Sequence, residues 1–318
     1  EYDDSYLFRL SSLLAGAGNL NEASLLRTYL IEYYQGMGDQ ENLERSLGNH
    51  ANALYSRGDL DEAMKLRKER EQICRKLGAK EGLSATLGSQ AVILADRGDL
   101  DGAMKLHREE EQICRELGTK EYLQASLANQ AGILKIRGDL DEAMELLTEQ
   151  EQICRKHGLK DSLQLSLGNQ ALILKVRGDL DGAMKLFKEQ EQICRKLGLK
   201  DSLQVSLGNQ AGVLKVWGDL NGAMELLKEQ EQICREMGQK DGLSVSLGNQ
   251  ALILNVAGDL DGAMVLLGEQ ELICREIGAK ACLQASFGNQ ANILAARGDL
   301  DEAMELLKNV ERTCHEIG

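Results

Sequence analysis

Eight cysteines stand at 74, 114, 154, 194, 234, 274, 282 and 314, and all but Cys282 keep a spacing of forty residues. Thiols at so regular an interval could form a disulfide ladder or hold metal ions. If each forty-residue step is one layer of stacked helices, equivalent atoms lie about 9–10 Å apart. A disulfide requires Cα atoms within about 7 Å, and zinc requires ligands converging at about 2 Å. The periodic cysteines are therefore expected to be small buried hydrophobes, with Cys282 able to approach Cys274 across a turn. Arg-Gly-Asp at 57–59, 97–99, 137–139, 177–179 and 297–299 has the composition of an adhesion ligand, but its place is a tight turn between helices and not a protruding loop. His50, His107, His157 and His315 occupy different places in the period, and the acids fall mainly on a solvated face, as Glu189 and Glu191 do. The chain carries no Walker loop, Gly-x-Ser-x-Gly, paired-cysteine or His-Glu-x-x-His motif. No catalysis, metal or cofactor is expected.

The elements that carry these residues follow from a forty-residue repeat. Residues 159 to 198 serve as the reference unit. Leu163, Leu167, Ala171 and Leu174 form one apolar stripe of an amphipathic helix A. Gly178 can take the left-handed backbone that closes this helix, and Asp179 or Asp181 can accept N–H groups opening the next. Leu180, Ala183, Met184 and Phe187 begin the stripe of helix B, which runs through Ile193 to Leu197 and ends at Gly198. Neither helix can bury its stripe alone. Eight such hairpins fit the 318 residues: 1 to 38, 39 to 78, 79 to 118, 119 to 158, 159 to 198, 199 to 238, 239 to 278 and 279 to 318. The position of Ala183 is alanine in all eight, and that of Ala171 is alanine in seven with Ser11 in the first. Small residues at two facing sites let helices A and B approach closely, with Leu174 and Leu186 filling the space around them.

This small-to-small contact, with the Gly-Asp-Leu-Asp turn between, resembles the tetratricopeptide repeat over the whole chain. It is similar to the forty-residue variety found in Pins-type spindle adaptors, kinesin light chain and the sensor arrays of STAND ATPases. The resemblance implies an all-α fold: a right-handed α-solenoid of antiparallel helix hairpins whose helix A face lines a concave groove for partner proteins. The chain departs from the family pattern in lacking proline after helix B, where Arg195 stands, and in placing Leu167 where tryptophan is frequent. Gln170 and Gln190 also depart from it, and their recurrence together predicts an amide pair bridging helices A and B.

Within helix A, Asn129, Asn169, Asn209, Asn249 and Asn289 share one position, with Asn49 and Ser89 in earlier units. Asparagine is a poor helix former, so the strip costs stability unless its amides are used, either by an extended peptide or by helix packing. Gly168 and its equivalents beside it permit close approach of a ligand or of a neighbouring helix. Leu172, Leu252, Val176, Val216 and Val256 supply an apolar floor, and Lys135, Lys175 and Lys215 a basic trio. These residues are the expected partner-binding surface. They suit a protein or peptide segment with apolar anchors and at least one acidic residue.

A net charge of −14 argues against nucleic acid as ligand. No apolar run reaches the roughly 18 residues of a membrane span, and no signal peptide is evident, so a cytoplasmic location is expected. Six of the eleven aromatics, Tyr2, Tyr6, Phe8, Tyr29, Tyr33 and Tyr34, lie in the first unit, which is expected to act as an end cap or to contact an upstream domain. The chain begins without methionine and ends with a repeat at Gly318, Thr313 softening its last apolar face only in part, as expected of a fragment of a longer protein. The expected function is a non-catalytic protein-interaction module. The alternatives are a ligand-sensing or autoinhibitory arm of a larger STAND-type signalling ATPase and a structural spacer.

Overall fold

The computed structural model describes residues 4–317, with the side chains of residues 4, 5, 8, 309 and 311–317 left aside. Tyr2 lies outside the described residues, as do the side chains of Phe8, Thr313 and Cys314. Sixteen helices and no strand occur among the described residues. They run as hairpins: α1 (Asp4–Gly16) with α2 (Leu20–Met37), α3 (Gln40–Ser56) with α4 (Leu60–Leu77), α5 (Lys80–Asp96) with α6 (Leu100–Leu117), and α7 (Lys120–Arg137) with α8 (Leu140–His157). Then follow α9 (Lys160–Val176) with α10 (Leu180–Leu197), α11 (Lys200–Trp217) with α12 (Leu220–Met237), α13 (Lys240–Ala257) with α14 (Leu260–Ile277), and α15 (Lys280–Arg297) with α16 (Leu300–Ile317). Odd-numbered helices are the A helices. The expected all-α array of helix hairpins is therefore the observed architecture. By contacts the chain divides into two compact units, Glu1–Ser162 and Leu163–Gly318.

In each unit a helix packs on the next in sequence, and successive A helices also touch, α5 with α7 in the first unit and α11 with α13 and α15 with α13 in the second. Comparable contact between B helices is absent among the described residues, which puts the A helices on the inner side of each array. Gly178 takes φ 83° and Gly198 φ 70°, the left-handed geometry that ends helices A and B. The Asp179 carboxylate accepts the Gly182 N–H at 2.9 Å, opening α10, and Asp99, Asp219 and Asp259 cap their helices in the same way. The arginine of the Arg-Gly-Asp turn is also spent internally: Arg97 and Arg137 reach Asp61 and Asp101 of the preceding hairpins, each at 2.5 Å.

Leu167 is fully buried, as are Ala171, Ala183 and Phe187, against which Leu174 and Leu186 pack. Serines tie one hairpin to the next. Fully buried Ser206 and Ser246 donate to the backbone carbonyls of Phe187 and Leu227 at 2.9 and 2.7 Å.

Gln170 and Gln190 are both buried, and Gln170 donates to Ser166 Oγ at 3.3 Å. Gln190 donates to Gln164 Oε1 at 3.1 Å, Gln230 to Gln204 at 3.0 Å and Gln150 to Gln124 at 3.1 Å. The A-helix glutamines instead face the preceding hairpin, Gln210 and Gln250 donating to Glu191 and Glu231 at 2.7 Å. The predicted amide bridge between helices exists, but its A-helix end is Gln164. Unit two makes the swap visible, since Arg70 stands at the place of Gln190 and bonds Glu44, at the place of Gln164, at 2.6 Å.

Cys74, Cys114, Cys154, Cys194 and Cys234 are free and buried. Burial pushes the thiols of Cys74, Cys154 and Cys194 up to about 11, so they are protonated at neutral pH and behave as hydrophobes. The periodic Cys274 departs from that reading: it forms a disulfide with Cys282 across the α14–α15 turn, their Cα atoms 6.0 Å apart, within disulfide reach. The place of Cys282 is glycine in units three and seven, where an added Cβ would stand 3.0 Å from Cys74 Sγ and 2.7 Å from Cys234 Sγ.

Candidate functional site

In the Leu163–Gly318 unit the A helices leave one face open to solvent. Leu165, Asn169, Leu172 and Val176 follow steps of four, three and four along α9, which is one side of a helix. Val205, Asn209, Gly212 and Val216 repeat it on α11, and Val245, Asn249, Leu252 and Val256 on α13. Val176, Val216 and Val256 are 73%, 66% and 72% exposed, and Leu165, Val205 and Val245 are about half exposed. Branched apolar side chains left this open at three successive equivalent positions make a hydrophobic row that the core does not use. The sequence reading placed the later valines but missed Leu165, Val205 and Val245. Their step of four before each asparagine was the available signal. In the Glu1–Ser162 unit, α7 bears Asn129 and the exposed Ile136 on the same face.

The asparagines behave unequally. Asn249 is spent within the protein: Lys215 Nζ donates to its Oδ1 at 3.1 Å, while its Nδ2 donates to the Val245 carbonyl at 3.1 Å. Asn129, Asn209 and Asn289 make no side-chain hydrogen bond among the described residues. At Asn249, then, the amide links neighbouring A helices.

The glycine beside each asparagine serves packing. A Cβ at Gly168 would lie 2.6 Å from Gln190 Nε2, and one at Gly208 2.8 Å from Gln230 Nε2. At Gly288, where Val310 replaces the glutamine, nothing among the described residues stands within 4 Å. The lysines are half-buried. Burial, and then the neighbouring Lys175 charge, lowers the pKa of Lys215, and burial lowers that of Lys135. Lys175 lies over Gly212, its Nζ 3.1 Å from where a Cβ would be. Partly desolvated ammonium groups beside an apolar row can pair with carboxylates that reach them. No group of three His, Cys, Asp or Glu side chains able to hold a metal occurs among the described residues, and no described helix is long and apolar enough to cross a membrane.

A sequence model of the family described as Tetratricopeptide repeat matches residues 284–308. No curated protein matches the chain. Among solved structures, the STAND protein with a tetratricopeptide repeat sensor from Pyrococcus horikoshii is similar with a TM-score of 0.73 at 15% identity, covering 98% of this chain and 50% of that one. The fold is that of tetratricopeptide-repeat proteins. Aspartyl phosphate phosphatase F from Bacillus subtilis shares this repeat fold with a TM-score of 0.67 at 14% identity, over 91% of this chain and 75% of that one. A kinesin light chain of Podosopora anserina with nearly identical TPR-like repeats gives 0.51 at 22%, over 61% of this chain and 95% of that one. The chain thus spans half the length of the Pyrococcus ATPase.

Proposed function

We propose that this repeat array is a non-catalytic protein-interaction module that binds a segment of a partner protein in a groove lined by the solvent-exposed face of its A helices. The observation that carries this reading is the row of Val176, Val216 and Val256, each about two-thirds exposed or more at one place in three successive repeats. Apolar anchors of an extended segment or helix would lie along that row. Asn209 and Asn289 would supply amide donors and acceptors for its backbone, and Lys175 and Lys215 would meet an acidic side chain. Leu172, Leu252 and Asn169 border the same row, and Asn129 with Lys135 occupies the equivalent positions in the other unit. Asn249, already committed to Lys215, would act by holding that lysine in place.

The test is binding of peptides that carry two apolar residues and one acid, compared between the native chain and Lys175→Gln with Lys215→Gln. Loss of preference for the acid in the variant supports the reading. Equal preference in both removes the lysines from the site.

A second reading, a sensor or autoinhibitory arm of a larger signalling ATPase, is favoured by the likeness to the Pyrococcus protein, whose repeats are described as a sensor. It requires a nucleotide-binding domain in the same polypeptide, and a gene without one would exclude it. A spacer role would be favoured if the A-helix face captured nothing.

A further inference from the structure

A cavity of about 360 Å³ opens in the Glu1–Ser162 unit, where α1, α2 and α3 meet. Its wall is apolar at Leu20, Ala53 and Leu54 and cationic at Arg27 and Arg57. A second cavity, of about 350 Å³, adjoins it through Asn49 and Asn52 and is bordered by Arg45 and Arg70. Of these four arginines Arg70 pairs with Glu44 and Arg57 with Asp59, which leaves Arg27 and Arg45 without an ion pair among the described residues in a chain of net charge −14.

Two groups in the first cavity lack partners. His50 lines it while being only 8% exposed, and its buried Nδ1 has no hydrogen-bond partner. Because Nδ1 is sealed inside the fold, a group in the cavity would meet the imidazole at its other ring edge. Arg27 is half-buried, burial lowers its pKa, and it makes no ion pair among the described residues. Arg57 on the rim pairs with Asp59 at 3.5 Å. Arg67 donates to Asn52 Oδ1 at 3.2 Å, which leaves the N–H groups of that amide as unspent donors at the mouth. The unspent groups here are the Arg27 cation, the Asn52 N–H donors, and the imidazole and the Asn49 amide, each of which can donate or accept.

We propose that this cavity binds a small organic anion, its oxyanion head between Arg27 and His50 and its aliphatic body against Leu20, Ala53 and Leu54. The site is independent of the A-helix row and can exist whether or not that row binds a partner. The chemistry required is a carboxylate or phosphate monoester on a short apolar chain, since a guanidinium accommodates either oxyanion.

A proton comes with the anion. Burial, then the Arg27 charge, holds the His50 pKa below its ordinary value; Arg57 acts in the same direction and Glu62 of α4 opposes it. A bound anion offsets Arg27 and favours the imidazolium, so binding takes up a proton and tightens as pH falls.

Hexanoate, hexyl phosphate and, as a neutral control, hexanol are titrated into the full chain while the His50 ring resonances are followed by NMR. The expected result is saturable movement of the ring signals by at least one anion and none by hexanol, with tighter binding at about pH 6 than at about pH 8. The stronger of the two anions identifies the head group. Arg27→Gln should weaken binding about tenfold or more, and Arg27→Lys by less, with helicity unchanged. Should Arg27→Gln lose helicity, Arg57→Gln on the exposed rim carries the same test. The proposal is overturned if neither anion moves the His50 ring at about 10 mM, if hexanol moves it equally, or if removing the guanidinium leaves the affinity unaltered.

Discussion

Gly168 and Gly288 hold the same place in their repeats yet meet different neighbours. Alanine is favoured over glycine in a helix by about 1 kcal/mol. At Gly288 nothing among the described residues stands within 4 Å, so Gly288→Ala should raise stability by about that amount. At Gly168 the added methyl group would displace the Gln190 amide from Gln164, a bond worth about 1 kcal/mol, and the two effects should nearly cancel. In a Gln190→Ala background the benefit should return. Urea unfolding of the set checks this, and equal gains from both single alanines would contradict the packing role of the glycine. Ser246 supplies a second test. Ser246→Ala removes its 2.7 Å bond to the Leu227 carbonyl and should cost about 1 kcal/mol, read as a lower urea midpoint at unchanged slope. The sequence disclosed that something must come close to Gly168. It did not disclose what, because Gln164 and Gln170 are six residues apart on one helix, about 9 Å along its axis, and the sub-ångström fit of the facing helix selects between them.

Each hairpin owes its boundaries to local chemistry, which is why the helices were legible from Gly178, Asp179 and Gly198 alone. Apolar spacing likewise placed Leu167, Ala171, Ala183 and Phe187 inside, where they are fully buried. The ties between hairpins were less legible, since serine and glutamine satisfy their hydrogen bonds in many settings and spacing alone does not say which. Ala183 is fully buried in the core of its hairpin. Ala183→Leu should overpack it at a cost of about 1–3 kcal/mol, with hydrogen exchange accelerated in α9 and α10 above the rest of the chain. Uniform protection would contradict that packing. At the α14–α15 turn, the Cys274–Cys282 disulfide closes a loop worth about 2.5 kcal/mol in chain entropy. Treatment with a reducing thiol should therefore accelerate exchange at residues 275–283, and Cys282→Ser should match the reduced protein. No change on reduction would mean that the bridge constrains nothing.

For the molecule as a whole, the charge pattern separates two kinds of surface. On the outer side of the B helices, Arg115 forks between Glu111 at 2.8 Å and Glu149 at 2.7 Å, and Arg195 and Arg235 repeat the arrangement within the second unit. Exposed pairs of this kind contribute at most about 1 kcal/mol each and weaken with salt, so they serve solubility and register more than stability. The A-helix face is different: its charges are few and its valines are open. The candidate row was half legible, since the valine and asparagine positions stood out from their recurrence. Leu165, Val205 and Val245 did not, because an apolar residue on an amphipathic helix reads first as core. The central claim is that this row binds a partner segment, and the most direct measurement is a selection of displayed random peptides on the intact protein, followed by affinities for the native chain and for Val176→Asp, Val216→Asp and Val256→Asp combined. The account predicts peptides with apolar anchors and an acid whose affinity falls about tenfold or more in the triple variant at unchanged helicity. Peptides that bind both proteins equally, or a selection that recovers none, would contradict it.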